Sequence, residues 1–238
     1  MSTRGACSLE EVDCLDEREC LAACAGVRAL RDLWEPVATS SFFRLGVASY
    51  AADEGTGRER YAESVRRLRP ALLDRFGWLY ERIAVRLADA LGGPVTFPEW
   101  LSPPGFHIWL ADVDGRAFVP ITHVDLQFMR HDWWQEGTPR LDDPRSFTVP
   151  LALPEQGGGL NVWPLDMERS LHCERNEIER WLSEHSPTFH MYRRGALVLH
   201  NGLQFHQIAP IQNARPDDER ITLQGHALRC DDRWCAYW

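Results

Sequence analysis

The feature that most restricts how this chain can fold is a change of hydrophobic period at Pro103-Pro104-Gly105. Upstream, Leu72, Leu73, Phe76, Leu79, Ile83, Leu87 and Leu91 recur at helical spacing. Pro70 suits the first turn of that helix and Gly92-Gly93 its stop. Residues 58–69, rich in Arg and Glu, read as another helix after a loop at Gly55-Thr56-Gly57. Nearer the start, Ser8-Leu9-Glu10-Glu11 has the form of a capping box. It precedes Val12, Leu15, Leu21, Val27, Leu30 and Leu33, so one or two helices are expected before Pro36. Downstream of the change, short apolar runs alternate with turn residues. Strands are expected at 106–111, ended by Asp112-Val113-Asp114-Gly115, and at 121–127, 146–153, 160–163, 188–192, 196–200, 205–211 and 220–228. Residues 129–145 read as a polar loop, and 174–185 as a helical insertion. Asn201-Gly202 is a strong hairpin-turn signal. About eight short strands suit a double-sheet jelly roll. The expected architecture is α+β: a helical region over 1–100, bracing a β core over 101–238 that carries an insertion near 165–187.

One of those strands concentrates chemistry. In Ile121-Thr122-His123-Val124-Asp125-Leu126-Gln127, residues two apart point to the same side. His123, Asp125 and Gln127 therefore share a face. An imidazole and a carboxylate side by side can hold two positions of one divalent metal, and a third ligand must come from elsewhere. The pair alone is a weak signal, since His-x-Asp arises easily by chance.

Composition narrows the function classes. A net charge of −9 over 238 residues argues against nucleic acid as a partner, because no basic stripe is available for phosphates. The sequence has no apolar run long enough for a membrane span and no visible signal peptide, so a soluble, cytoplasmic protein is expected. All 26 basic residues are Arg, which excludes lysine Schiff-base chemistry and leaves Arg to capture carboxylates. The seven cysteines, Cys20-x3-Cys24 among them, read as idle thiols rather than a disulfide framework or zinc site.

His206, on the strand after Asn201-Gly202, is the candidate third ligand; His200, at the end of the preceding strand, is the rival. Arg220 begins the next strand, and Thr222 shares its face. The ordered set His123-x-Asp125, His206, Arg220-x-Thr222 resembles the non-haem iron(II), 2-oxoglutarate-dependent oxygenases. The Gly157-Gly158-Gly159-Leu160 turn and the Gly195-Ala196-Leu197-Val198-Leu199 strand also look like that family's. The resemblance covers residues 105–228.

That resemblance implies a double-stranded β-helix, a jelly-roll or cupin-like core. It implies Fe(II) held by His123, Asp125 and His206, with 2-oxoglutarate and O2 as co-substrates and succinate and CO2 as products. Arg220, with Thr222, would take the remote carboxylate of 2-oxoglutarate; Arg215 is the alternative, in a loop where a surface role is expected. Gln127 would touch 2-oxoglutarate or substrate. His107, His190 and His226 read as satisfied core or rim histidines, and His131, His172 and His185 as surface ones. Trp109 reads as core, with the pocket as its other place. The expected activity is hydroxylation of a small molecule, a natural-product intermediate or amino-acid derivative. Desaturation, cyclisation or epoxidation by the same chemistry, a cupin-type metalloenzyme without 2-oxoglutarate, and a binding protein are the alternatives. The sequence leaves oligomeric state open.

Overall fold

A computed structural model describes residues 9–37, 41–50, 57–111, 121–170 and 173–238, without the side chains of 168 and 169. Cys7, His172 and the turn expected at 112–115 lie outside the described residues, as do parts of the Ser8 capping box and the Gly55-Thr56-Gly57 loop.

Period-2 alternation builds the main layer. In β5 (Gly105–Leu110), β6 (Arg145–Ala152) and β11 (Glu219–Cys230), Phe106, Ile108, Phe147, Val149, Leu151, Ile221 and Leu223 all enter one buried cluster. That cluster lies under two helices, α1 (Glu17–Ala29) and α2 (Gly57–Leu91), through residues such as Val27, Leu72, Phe76 and Ile83. The intervening residues of the same strands, His107, Thr148 and Gln224 among them, face the other way, into a cavity.

Among the described residues the strands form two sheets. The larger runs β1 (Glu10–Asp13), β9 (Ala196–Asn201), β6, β11, β5, β3 (Phe42–Leu45), β2 (Glu35–Pro36). The far end of β11 pairs with β12 (Arg233–Tyr237), which pairs with β4 (Val95–Thr96). The smaller sheet is β10 (Gln204–Ile208), β7 (Leu160–Asp166) and β8 (Thr188–His190). Helices α3 (Met167–Ser170) and α4 (Arg175–Glu184) form the insertion between β7 and β8. Residues of both sheets line the cavity. The architecture is mixed α+β with two sheets, and it resembles a double-stranded β-helix core.

Several expectations are corrected. The first hundred residues supply four strands as well as helices. Residues 10–13 are an edge strand, not helix. Its acidic Glu11 and Asp13 pair with Arg193 at 2.9 and 2.6 Å, which charges an otherwise exposed sheet edge. The capping box is Asp16 with Glu19, two reciprocal bonds of 2.8 and 2.9 Å. Pro70 lies inside α2 rather than opening a helix; the helix breaks later, at Phe76 (φ −122°), whose ring packs on Phe106. Gly92, at φ +66°, ends it as expected. Asn201-Gly202 makes no hairpin, because β9 belongs to the large sheet and β10 to the small one.

Candidate functional site

The stretch 121–126 is not a regular strand. Only His123 is paired, through reciprocal backbone bonds of 2.9 Å with His206. The Asp125 amide donates to Gly202 at 2.7 Å, and a 3-10 turn begins at Gln127. A single bridge is enough to bring the side chains together. One ligand atom from each of His123, Asp125 and His206 lies within 4.8 Å of the others. The Nε2 atoms of His206 and His123 stand 3.3 and 3.6 Å from the two Asp125 oxygens.

The protonation pattern suits a cation. Each imidazole Nδ1 is 2.8 Å from a carbonyl two residues earlier, Ile121 for His123 and Gln204 for His206. Nδ1–H donates there, so both Nε2 lone pairs point inward. Asp125 accepts from Ser146 Oγ at 2.5 Å and from Gln127 Nε2 at 3.1 Å. Burial pushes the Asp125 carboxyl up, but the His206 and His226 imidazoles outweigh it and hold it well below the usual range. For His206, burial pushes down and the Asp125 charge wins, raising it. Octahedral ligands about 2.1 Å from a metal sit about 3 Å apart, so small shifts would seat a divalent ion here.

The cluster stands at one end of the cavity. His123 is the open side, its side chain 44% exposed against 6% for His206. Beyond the cavity residue Tyr192, whose ring is 5.8 Å from its guanidinium, lies Arg220, 1% exposed. Its Nε donates to Gly158 O at 2.9 Å and its Nη1 to Thr222 Oγ1 at 3.3 Å; its Nη2 has no partner among the described residues. Gly158 is at φ +69°, and a Cβ there would sit 3.3 Å from the Arg220 side chain, so glycine admits the guanidinium to that carbonyl. Burial pulls Arg220 down to about 10, which leaves it charged at neutral pH. No carboxylate pairs with it among the described residues.

The remaining sequence candidates separate cleanly. Arg215 is exposed and pairs with Glu155. His200 is buried with its ring 4.6 Å from His206, but it is not part of the converging cluster. Gln127 steadies Asp125, and its buried Oε1 has no partner among the described residues. Trp109 stacks on Phe42 at 4.0 Å in the core. His131 is not a surface residue: it bonds Ser49 at 2.7 Å and packs among Tyr61, Trp100, Trp133 and Tyr237. His185 is exposed and stacked on Trp181, and His190 bonds Glu11 at 3.2 Å. His226 lies against Ser146 at 3.1 Å, beside Asp125. Cys20 and Cys24 are buried free thiols, each pushed up to about 11 by burial. Ser146, Tyr192, Tyr50 and Trp238 also line the cavity, and sequence reasoning missed them. Alternation within β6 exposes Ser146 and Thr148 to inspection; nothing in the local pattern marks Tyr50 or Trp238.

No family model matches this chain, and no curated protein does. Solved structures share its fold. It is similar to an N-substituted L-amino acid dioxygenase from Burkholderia ambifaria, with 14% identity over 97% of this chain and 86% of that one and a TM-score of 0.59. It is similar to SnoK, the non-haem α-ketoglutarate-dependent carbocyclase from nogalamycin biosynthesis, at 14% identity over 96% and 87% with a TM-score of 0.51. SnoN, the epimerase from the same biosynthesis, matches at 15% identity over 94% and 81% with a TM-score of 0.50. At these identities the likeness is one of fold. Within that fold, the two-histidine, one-carboxylate cluster is the feature this chain presents in its own right.

Proposed function

We infer that this chain is a non-haem iron(II), 2-oxoglutarate-dependent oxygenase acting on a small molecule. The observation that carries the reading is the pairing of two incomplete ends in one cavity. A convergent His123–Asp125–His206 cluster stands at the mouth, and a buried, uncompensated Arg220 lies at the floor. An isolated buried cation costs several kcal/mol unless a partner arrives, so the floor fits an anionic ligand. A dicarboxylate that reaches the metal with one end and Arg220 with the other satisfies both. Without Arg220, a cupin-type metalloenzyme using no 2-oxoglutarate would fit equally well.

In this reading His123, Asp125 and His206 hold the iron on one face, and Arg220 with Thr222 takes the remote carboxylate of 2-oxoglutarate. Bound iron(II), 2-oxoglutarate and O2 together supply the oxidising power, 2-oxoglutarate leaving as succinate and CO2. The protein's part is placement. The Nδ1–carbonyl bonds fix both imidazole rings, Ser146 and Gln127 hold the Asp125 carboxylate, and the floor excludes water. We read 101–238 as the catalytic core and 1–100 as its brace. Hydroxylation of a natural-product intermediate or amino-acid derivative is the reaction we favour. The fold does not choose among outcomes: its neighbours include a dioxygenase, a carbocyclase and an epimerase. Among the described residues no helix is long and apolar enough to cross a membrane, in keeping with a small, freely diffusing substrate.

The test is oxygen-dependent succinate formation from 2-oxoglutarate by the Fe(II)-loaded protein, with and without candidate substrates. Succinate that requires Fe(II) and rises with one substrate class supports the reading. Protein that binds Fe(II) yet neither binds nor consumes 2-oxoglutarate would overturn it.

A further inference from the structure

The cavity wall between mouth and floor holds a histidine that the proposed chemistry leaves unused. Down β11, His226 and Gln224 line the cavity, and alternation puts Thr222 and Arg220 on the same side of the strand beyond them, with the Arg220 guanidinium 5.8 Å from the ring of Tyr192, another cavity residue. His107, on β5, is the registered partner of Thr222. The Arg220 guanidinium bonds Thr222 Oγ1, and its charge is felt at the His107 ring across the strand pair. Cross-strand partners lie about 5 Å apart at Cβ, which puts both within reach of one small group.

His107 is 8% exposed and only half satisfied. Its Nε2 is 3.1 Å from the Tyr50 hydroxyl. Arg44, the registered partner of His107 on β3, bonds the phenol oxygen, and a guanidinium has only donors. Arg44 is itself held by Glu35, its partner on β2, at 3.0 and 2.8 Å. The one acceptor for the phenol proton among the described residues is His107 Nε2. The ring's own hydrogen therefore sits on Nδ1. That atom is buried and makes no hydrogen bond of good geometry among the described residues; its one neighbour of that kind is the Gln224 side chain, whose amide donates to Thr222 Oγ1 at 3.4 Å and whose loose contact with the ring raises it only slightly. Burial first, then the Arg220 and Arg44 charges, push His107 down to about 3, so it stays a neutral donor. Two donors without a bond of good geometry, Arg220 Nη2 and His107 Nδ1–H, thus belong to the neighbours of one threonine, along the strand and across it. That is the arrangement a carboxylate with two oxygens would complete.

We propose that His107 is a second anchor for the remote carboxylate of 2-oxoglutarate, its Nδ1–H donor fixed by a Glu35–Arg44–Tyr50 relay from the β2–β3 strands outside the inner wall. This rests on the function proposed above. It makes the N-terminal strands part of co-substrate recognition, with Tyr50 and Arg44 as positioning residues.

Calorimetric titration of the full-length, Mn(II)-loaded protein without oxygen tests it. The probes are 2-oxoglutarate and 2-oxopentanoate, which has the same keto-acid head and no remote carboxylate. For His107→Leu we expect about a tenfold or greater loss of 2-oxoglutarate affinity and an unchanged affinity for 2-oxopentanoate. His107→Asn, which sets an amide N–H near the Nδ1 position, should recover part of the loss. Tyr50→Phe, which frees the tautomer, should lose less, again for 2-oxoglutarate only. Equal weakening for both probes, or unchanged selectivity in His107→Leu and Tyr50→Phe, overturns the proposal. Should His107→Leu fail to fold, the Asn and Phe variants decide by the same criterion. Wild-type protein that binds no 2-oxoglutarate overturns the function itself; wild-type binding with an unaltered His107→Leu overturns this anchor alone.

Discussion

The mouth of the cavity is built from sparsely paired backbone and the floor from a strand paired on both sides, continuously with β5 and with a register shift against β6 between Ile221 and Thr222. At the mouth, His123 sits on a segment with a single bridge, and His206 on a strand whose register shifts between Gln204 and His206. At the floor, Arg220 and Thr222 lie in the long β11, in register with β5. The mouth is balanced in charge without a ligand, because the Asp125 carboxylate faces the imidazoles, and what its three converging ligand atoms would hold is a cation. The floor is not, because Arg220 Nη2 and His107 Nδ1 make no bond of good geometry among the described residues. Converging three side chains needs little backbone order and leaves an open side for substrate. Holding an unpaired cation in a dry interior needs donors that cannot relax toward water.

Removing one histidine at the mouth should have the largest effect on function. His206→Ala and His123→Ala should each abolish stoichiometric iron binding and turnover. Their effects on the metal-free fold should differ. His206 is buried against Asp125, so its loss leaves a buried carboxylate short of a partner, worth about 1–3 kcal/mol. His123 is half in solvent, and His123→Ala should change the melting temperature little. Iron analysis with thermal melts checks both; equal destabilisation would mean the mouth is packed more tightly than its exposure indicates.

Next in size is the floor. Arg220→Ala removes a buried charged donor and should weaken 2-oxoglutarate binding by about 2–5 kcal/mol, with iron affinity kept. Loss of iron in Arg220→Ala would show that the two ends are not independent.

The contrast also explains what could be read in advance. The inner strands alternate so strictly that 106–111, 146–153 and 220–228 predict β5, β6 and β11 closely, and Arg220 and Thr222 with them. The mouth was legible in chemistry but not in structure: His123-Val124-Asp125 has the composition of a strand, yet it makes a single bridge at His123 and one further backbone bond, from the Asp125 amide to Gly202. The N-terminal strands were not legible, since a two-residue strand such as Glu35–Pro36 has no period and Glu10–Asp13 is acidic. His131 was misread because its aromatic neighbours come from three distant segments. Seven local residues say nothing of such contacts, nor of Trp238, whose ring lies where a Gly105 Cβ would be, 1.8 Å away.

Acid should act on the buried histidines with both signs. Burial holds His107 and His200 down to about 3 and His131 to about 4. An unfolded histidine titrates near 6.5. Between about pH 6.5 and 4 the unfolded chain binds protons that the fold refuses, so these rings lower stability as pH falls, by roughly 1.4 kcal/mol per pH unit each at most. His206 works the other way. Asp125 raises it, so its contribution is full below the unfolded value and is lost as pH rises through the folded one. Burial holds His123 and His226 down as well, so five rings against one predict a melting temperature of the metal-free protein that drops steadily from pH 6.5 to 5. A flat profile would mean that the buried rings are already charged in the fold.

The smallest expected effect is none, and it tests the proposal that the floor, not the loop, takes the carboxylate. Arg215 and Arg220 carry the same group five residues apart. Arg215 is 62% exposed and already paired with Glu155 on the loop. A surface pair of this kind contributes about 0–1 kcal/mol and is screened by salt. Arg220 is dry, in contact with a carbonyl and a hydroxyl, and has a nitrogen left over. Arg215→Ala should therefore leave the 2-oxoglutarate titration within about twofold of wild type and the melting temperature unchanged. Its effect should also vanish in high salt, while that of Arg220→Ala persists, because a buried carboxylate–guanidinium pair is screened far less. If Arg215→Ala matched Arg220→Ala in 2-oxoglutarate affinity, the carboxylate would be held from the loop, and burial of Arg220 would need another explanation.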